Sequence, residues 1–238
     1  MNINSSPGFF VTGTDTGVGK TVVTAALCLA CKSAGMQVSP MKPVQSGAEK
    51  GPHGLQAPDL QFVTELMDIK TRPDMCPYML EDPCSPHLAA KRASIHLELP
   101  RILRAYETLR ASYTTLMVEG AGGIMVPLNE HDTMLDLMKA LGLPIVLTAR
   151  PNLGSINHTL LSLACLRNAG LILAGVVLVD TLDTPRGYIE QDNPVAIHTF
   201  GKVPVLGYIP FFEQLNVPAS ARVFLAEQGD KILRSMTT

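Results

Sequence analysis

No stretch of this chain is apolar for long enough to cross a bilayer. The longest uncharged apolar run, Ala169 to Val179, falls well short of the ~20 residues a spanning helix needs. Neither sign of charge dominates: 19 Lys and Arg against 21 Asp and Glu leave a formal net charge of −2. That balance gives no reason to expect nucleic acid or an anionic membrane surface as partner. The N-terminal residues, Met1-Asn2-Ile3-Asn4-Ser5-Ser6-Pro7, lack the charged-then-apolar order of a signal peptide. These absences lead to the expectation of a soluble cytoplasmic protein. There is no internal repeat, low-complexity tract or clear linker. The six histidines show no His-Glu-x-x-His or similar ligand spacing, and no Ser-His-Asp or Cys-His nucleophile pattern emerges. Cysteines number only five. Cys28 and Cys31 form a Cys-x-x-Cys pair, but it lies inside a predicted helix, away from the N-terminal position where the helix dipole lowers a thiol pKa. With Cys76 and Cys84 widely spaced, no zinc quartet forms, and the first pair reads as small buried helix residues.

What is present is an alternation. The 238 residues, 46% hydrophobic, suffice for one large α/β domain or two small ones. Short apolar runs predict strands at Phe9–Thr12, Gln37–Met41, Thr115–Val118, Ile145–Thr148, Ala174–Val179 and Val205–Ile209. Most are continuously apolar and rich in β-branched residues, as in strands buried on both faces. Between and after them, helix-patterned segments cover Thr21–Ala34, Leu60–Met67, Leu99–Ser112, Met134–Leu141, Ile156–Ala169, Pro194–Phe200 and Ala219–Arg234. Gly35 and Gly170 fall at expected helix ends. The order predicts an α/β fold, a parallel sheet with crossover helices on both faces, spanning 1–238 as a single domain. Ligands on such sheets bind at the carboxyl ends of the strands. Glu49 to Pro58, with two glycines and two prolines, reads as a mobile loop beside that edge.

The most informative segment lies at the first of those ends: Gly13-Thr14-Asp15-Thr16-Gly17-Val18-Gly19-Lys20-Thr21, between an apolar strand and a helix. Its glycines let successive N–H groups face one hollow, and the helix start adds its positive dipole end. Lys20 can bridge outer phosphates and the Thr21 hydroxyl can ligate magnesium. The segment is a P-loop-like cradle for a nucleoside triphosphate, with five residues between Gly13 and Gly19 where the common pattern has four.

Three further strand ends should face the cradle. Met41-Lys42-Pro43-Val44-Gln45-Ser46-Gly47 offers a second ammonium and a hydroxyl, useful where phosphoryl charge is in transit; the alternative is a solvated lysine at a strand end. Val118-Glu119-Gly120-Ala121-Gly122-Gly123 puts one carboxylate at the end of an apolar strand, costly to bury unless a cation such as magnesium holds it; a structural glycine turn is the alternative. In Asn152-Leu153-Gly154-Ser155-Ile156-Asn157-His158, Ser155 is a predicted helix N-cap and the N–H groups around it could hold a carboxylate, though an ordinary capped loop explains it equally. Asp59 is a candidate second magnesium ligand or a cap for the helix that follows.

Taken together and in this order, these segments resemble the dethiobiotin synthetase family. Ser85-Pro86-His87 and Gly207-Tyr208-Ile209-Pro210-Phe211 add to the match, which runs from Phe9 to about Phe212; the remaining tail carries little signal. The resemblance implies a P-loop ligase of biotin synthesis that joins carbon dioxide to 7,8-diaminononanoate with ATP. It implies that Thr16, Lys20 and Lys42 act on the reacting groups. Gly17, Val18, Gly19, Lys20, Thr21 and Val22 would hold the nucleotide, with Asp59, Glu119, Gly120, Ala121, Gly122, Asp180, Ile209, Pro210 and Phe211. Thr21, Asp59 and Glu119 would bind Mg2+. Ser46 would contact the carbamate, and Gly154, Ser155, Ile156 and Asn157 would serve the substrate carboxylate bound to a partner subunit, hence a homodimer. Where the family commonly has Asn-Asp after the fifth strand, this chain has Val179-Asp180. Valine lacks the amide that reads an adenine edge, which implies either weak discrimination among nucleotide bases or selectivity supplied by the backbone near Ile209–Phe211. A switch-type ATPase of the partitioning or metal-insertase class shares the cradle, but carries a second lysine just before the cradle glycines; here the comparable region reads Thr14-Asp15-Thr16, with no lysine. A cobyrinate-type amidation enzyme would need a glutamine-hydrolysing domain for which 238 residues leave little room. A pure nucleotide-binding module would leave Lys42, Ser46 and Glu119 without a use.

Overall fold

The computed structural model describes residues 7–52 and 54–236. Residues 1–6, on which most of the signal-peptide reading rests, lie outside it. Six parallel strands form the central sheet: β1 (Gly8–Gly13), β2 (Val38–Met41), β7 (Thr115–Gly123), β8 (Ile145–Ala149), β9 (Leu173–Val179) and β10 (Val205–Ile209), in the order β10-β9-β8-β1-β7-β2. Side chains alternate across a strand, and here both sides are apolar. Phe10, Leu116, Val118, Ile145, Leu147, Val176 and Leu178 enter one core; Phe9, Val11, Met117, Val146, Val177 and Val179 enter another on the opposite face. That double burial is why the strands read as unbroken apolar runs.

Helices α1 (Lys20–Ser33), α2 (Pro58–Met67) and α8 (Pro218–Ser235) cover one face. The other carries α3 (Pro86–Arg92), α4 (Leu99–Arg110), α5 (Met134–Leu141), α6 (Ser155–Asn168) and α7 (Tyr188–Gly201). Gly35 and Gly170 take left-handed φ of 79° and 74° just past the ends of α1 and α6, where a side chain would be strained. Cys28 and Cys31 are buried in α1 as free thiols, with burial raising the Cys31 pKa to about 11. On α8, Gly229 meets the backbone of α1 so closely that an added Cβ would stand 2.0 Å from the Ala26 carbonyl oxygen.

Several features differ from the sequence reading, among them α3, which lies in no helix-patterned segment. Within the Glu49–Pro58 loop, β4 (Glu49–Gly51) pairs antiparallel with β5 (Gly54–Gln56), Glu49 opposite Gln56 and Gly51 opposite Gly54. Beside it, β3 (Val44–Ser46) and β6 (Tyr78–Leu80) form a small parallel sheet too short to stand out as apolar runs. Strand β7 continues through Glu119 to Gly123, since the glycine backbone still pairs with β1 at Gly13 after a register shift. Helix α7 starts six residues before Pro194 and absorbs it in its interior. There the neighbouring Asn193 side chain anchors the helix to the Pro151 and Asn152 carbonyls at 2.6 and 3.0 Å.

The strand order reverses beside β1: the chain leaves β1 for β2, returns through β7, then crosses to β8, β9 and β10. This switch point opens a crevice at the carboxyl ends of the strands, with the glycine-rich loop at its centre.

Candidate active site

The loop leaves β1 with Thr14 N–H bonded to the Thr148 carbonyl of β8 at 3.0 Å. Gly17 and Gly19 adopt φ of 69° and 93°, and at Gly19 a Cβ would also stand 2.7 Å from Val179 Cγ1. Only glycine meets both demands. Gly19 is the N-cap of α1, and no side chain caps the first turn, so the N–H groups there remain directed at the crevice. Lys20 is 7% exposed and folds back to donate to the Asp15 carbonyl at 2.8 Å. Burial first, then the charge of Lys42, lowers its pKa to about 8 against the opposing pull of Glu119, Asp59 and Asp15.

Opposite the loop, Lys42 Nζ donates to Glu119 Oε1 at 2.6 Å, to Asp59 Oδ2 at 2.7 Å and to the Gly120 carbonyl at 3.3 Å. The Thr21 hydroxyl donates to the same Glu119 oxygen at 2.9 Å. Strand β2 delivers Lys42, the first turn of α2 delivers Asp59, and β7 delivers Glu119. Lys42 and Glu119 are both buried, at 4% and 3% exposure. Burial alone would lower the Lys42 pKa, but the two carboxylates outweigh it and raise it. For Asp59 burial is again the largest single influence, upward, yet the charge and hydrogen bond of Lys42, with help from Gln45 and Lys20, hold the carboxyl below its usual range.

These groups wall a cavity of about 680 Å³. Of the residues singled out from sequence, Thr16, Gly17, Gly19, Lys20, Thr21, Val22, Lys42, Ser46, Asp59, Glu119, Ala121 and Gly122 line it together. Gly120 sits behind them, contributing its carbonyl to Lys42. Val18 turns inward at 2% exposure, against Gly13. Asp180, Ile209, Pro210 and Phe211 stand apart from that wall, at the ends of β9 and β10. There Asp180 N–H donates to the Ile209 carbonyl at 2.9 Å, and its carboxylate accepts from the Tyr208 hydroxyl and from Arg186 Nε at 3.4 Å. Arg186 lies over the Tyr208 ring, 3.2 Å from its centroid. Gly154, Ser155, Ile156 and Asn157 are also outside the wall. Gly154, with φ of 89°, is the N-cap of α6; Ser155 is the first helical residue and its hydroxyl turns to the Arg150 carbonyl, so it does not cap as expected. Its side chain is occupied by the turn that precedes the helix. Asp59 likewise caps nothing, because Ala57 is the N-cap of α2.

Sequence reading missed Gln45, Pro83, Cys84, Val126 and Thr181 on the wall, and gave Ser85 and Pro86 no role there. It also missed Arg150, whose Nη2 donates to the Gly17 carbonyl at 3.1 Å. Arg150 directly follows β8, so the strand-end rule that found Lys42 and Glu119 would have found it too.

A glycine loop running from the first strand of a parallel sheet into a Lys-Thr helix start defines a P-loop nucleotide-binding protein. The profile of a family described as "AAA domain" matches residues 7–219. The chain is 37% identical over 217 residues to the ATP-dependent dethiobiotin synthetase BioD of Thermodesulfovibrio yellowstonii, covering 88% of this chain and 90% of that one. It is 40% identical over 204 residues to the BioD of Anoxybacillus flavithermus, covering 85% and 91%. The chain therefore belongs to the dethiobiotin synthetase family. In fold it is similar to a ParA family ATPase from Chlorobium tepidum TLS (TM-score 0.57, 14% identity, covering 98% of both chains) and to the cell division ATPase MinD of Pyrococcus furiosus (TM-score 0.57, 17% identity, covering 96% and 97%).

Proposed function

We propose that this protein is an ATP-dependent dethiobiotin synthetase acting on 7,8-diaminononanoate, carbon dioxide and ATP. The observation that carries the reading is the convergence of Lys20, Lys42, Thr21, Asp59, Glu119 and Ser46 on one cavity at the switch point of the sheet. The whole chain, 1–238, acts as one domain around that cavity.

One amino group of the diamine bonds to carbon dioxide, loses a proton and becomes a carbamate. A carbamate oxygen then attacks the γ-phosphorus, the bond to ADP breaks, and a carbamic–phosphoric anhydride forms. The second amino group attacks the carbamoyl carbon, phosphate leaves with the bonding pair, the attacking nitrogen gives up a proton, and a cyclic urea closes. Each step needs charge neutralisation and alignment, with no side-chain nucleophile. Lys20 and the N–H groups at the start of α1 take the outer phosphates. Lys42 neutralises oxygen charge on the carbamate and on the migrating phosphoryl group, Ser46 orients the carbamate, and Thr16 borders both reactants.

The donor set fits magnesium. Among the described residues no three His, Cys, Asp or Glu cluster as a complete cage, but two carboxylates already hold a cation, the Lys42 ammonium, and the Thr21 hydroxyl bonds to one of them. Magnesium keeps several waters and needs only one or two protein carboxylates beside phosphate oxygens. Thr21, Asp59 and Glu119 would hold it, and it would supply phosphate charge neutralisation. At the other end of the nucleotide, Asp180 and Ile209–Phe211 would border the base. The Gly154–Asn157 segment at the start of α6 serves the substrate carboxylate in a second subunit of a homodimer. The protein works in the cytoplasm; no helix among the described residues is long and apolar enough to cross a membrane.

The test is phosphate release with diamine, bicarbonate, magnesium and ATP, each omitted in turn. Release that requires diamine and bicarbonate together supports the synthetase. Release indifferent to both, and stimulated instead by a protein or DNA partner, supports a switch ATPase of the kind whose fold it shares.

A further inference from the structure

Gln45 lies in β3 on the wall of the reaction cavity, between the strand end that carries Lys42 and the Ser46 hydroxyl. It is 6% exposed. Its side-chain nitrogen is committed to acceptors: Nε2 donates to the Ser46 carbonyl at 2.9 Å, and the amide also bonds to the Asp59 carboxyl. These partners determine which way round the amide lies, because reversing it would press Oε1 against two groups that can only accept. Oε1 is left buried, with no donor reaching it among the described residues. A buried carbonyl without a donor is costly, and native structures hold few of them.

The chemistry of the reactants says what can pair with it. Oε1 only accepts, so its partner must bring a proton. The phosphates of ATP at neutral pH, carbon dioxide and the carbamate oxygens have none to give. The amino groups of the diamine do. We infer that Gln45 is a specificity-determining residue whose side-chain carbonyl accepts an N–H hydrogen bond from one amino group of the diamine. This rests on the synthetase reading and deepens it. The bond holds that nitrogen on the Lys42–Ser46 side of the cavity and rejects ligands that carry a methylene or a carboxylate there, since either leaves the carbonyl unpaired or repelled.

Calorimetric titration tests this with three ligands: 7,8-diaminononanoate, 7-aminononanoate and 8-aminononanoate. Each is titrated into the full-length wild type and into Gln45→Met, which keeps length and volume while removing the amide. Gln45→Met should weaken diamine binding about tenfold. The penalty should vanish for the one monoamine that lacks the contacted nitrogen, the signature of direct pairwise coupling. A merely structural role would weaken all three ligands alike. Gln45→Asn, which withdraws the carbonyl by one methylene, should show the same ligand dependence and serves if the methionine variant melts early. Equal losses on all three ligands, or no loss on the diamine, overturn the inference. A wild type that binds none of the three overturns the synthetase reading, and the inference with it.

Discussion

Replacing Lys42 by methionine removes the cation that is bonded to both Glu119 and Asp59 while keeping most of the side-chain volume. Lys42 Nζ lies 2.6 Å from Glu119 and 2.7 Å from Asp59, and Glu119 is 3% exposed. Breaking a buried ion pair by removing one partner costs about 3–5 kcal/mol, because the other charge stays buried alone. The Asp59 side chain is 36% exposed and can rehydrate, which points to the lower end, about 3 kcal/mol. For a chain of this size that is a fall of about 6–12 °C in melting temperature. The gap should depend on pH. In the wild type the Asp59 carboxyl is held below its usual range, so its stabilising share is present above its unfolded pKa near 3.8 and lost as pH falls through the folded value. In the variant burial dominates and pushes that pKa up, so acidification relieves the variant while it weakens the wild type. The gap should narrow as pH falls toward 3.8 and go on narrowing below it, as the wild type in turn loses the Asp59 contribution. The raised Lys42 pKa acts at the other end: its contribution holds below about 10.5 and fades above the folded value. Urea melts across pH in a magnesium-free buffer read both limbs. Added magnesium should restore part of the variant's lost stability without nucleotide. A variant as stable as the wild type at neutral pH, with a gap flat in pH, would refute the clamp.

Three further outcomes follow from the same geometry. Lys20→Ala should cut turnover by about two to three orders of magnitude, and in the wild type kcat/KM for ATP should decline as pH rises past about 8, where the free lysine loses its charge; a flat profile to pH ~9.5 removes Lys20 from the phosphates. Glu119→Gln should shift the magnesium titration of activity to higher concentration by about tenfold or more with an unchanged circular-dichroism spectrum, and an unmoved titration takes Glu119 out of the metal site. Val179 is buried against Gly19 and offers no hydrogen bond, so rates with ATP, CTP and GTP should agree within about tenfold; a strong preference for ATP in parallel assays rejects that view.

The parallel sheet was legible because burial on both faces leaves an unambiguous mark: Phe9-Phe10-Val11 and Ile145 to Leu147 have no polar side to place outward. The cradle was legible because left-handed backbone at Gly17 and Gly19 admits little else. Lys42 and Glu119 were found because strand ends collect at one edge of such a sheet. The clamp between them was not, since residues 77 positions apart meet only through the strand order. The same holds for Gln45, whose significance lies in a missing partner, a property of three-dimensional surroundings. Pro194 misled because proline is usual at a helix start, and nothing local reveals that Asn193 is anchored across the chain. The β4–β5 hairpin was obscured by glycine and proline, which mark turns and loops alike.

The close approach of Gly229 to Ala26 ties the last helix to the one that begins with Lys20. Two backbones in such contact cannot slide or tilt independently, so α8 works as a splint for the phosphate-binding loop some distance away. Clipping α8, or swelling position 229 to alanine, should therefore loosen nucleotide affinity without altering any group that touches the nucleotide. Anyone attaching a tag or surface tether at this end of the molecule should leave a flexible spacer after Thr238, or risk tugging on the catalytic machinery from behind.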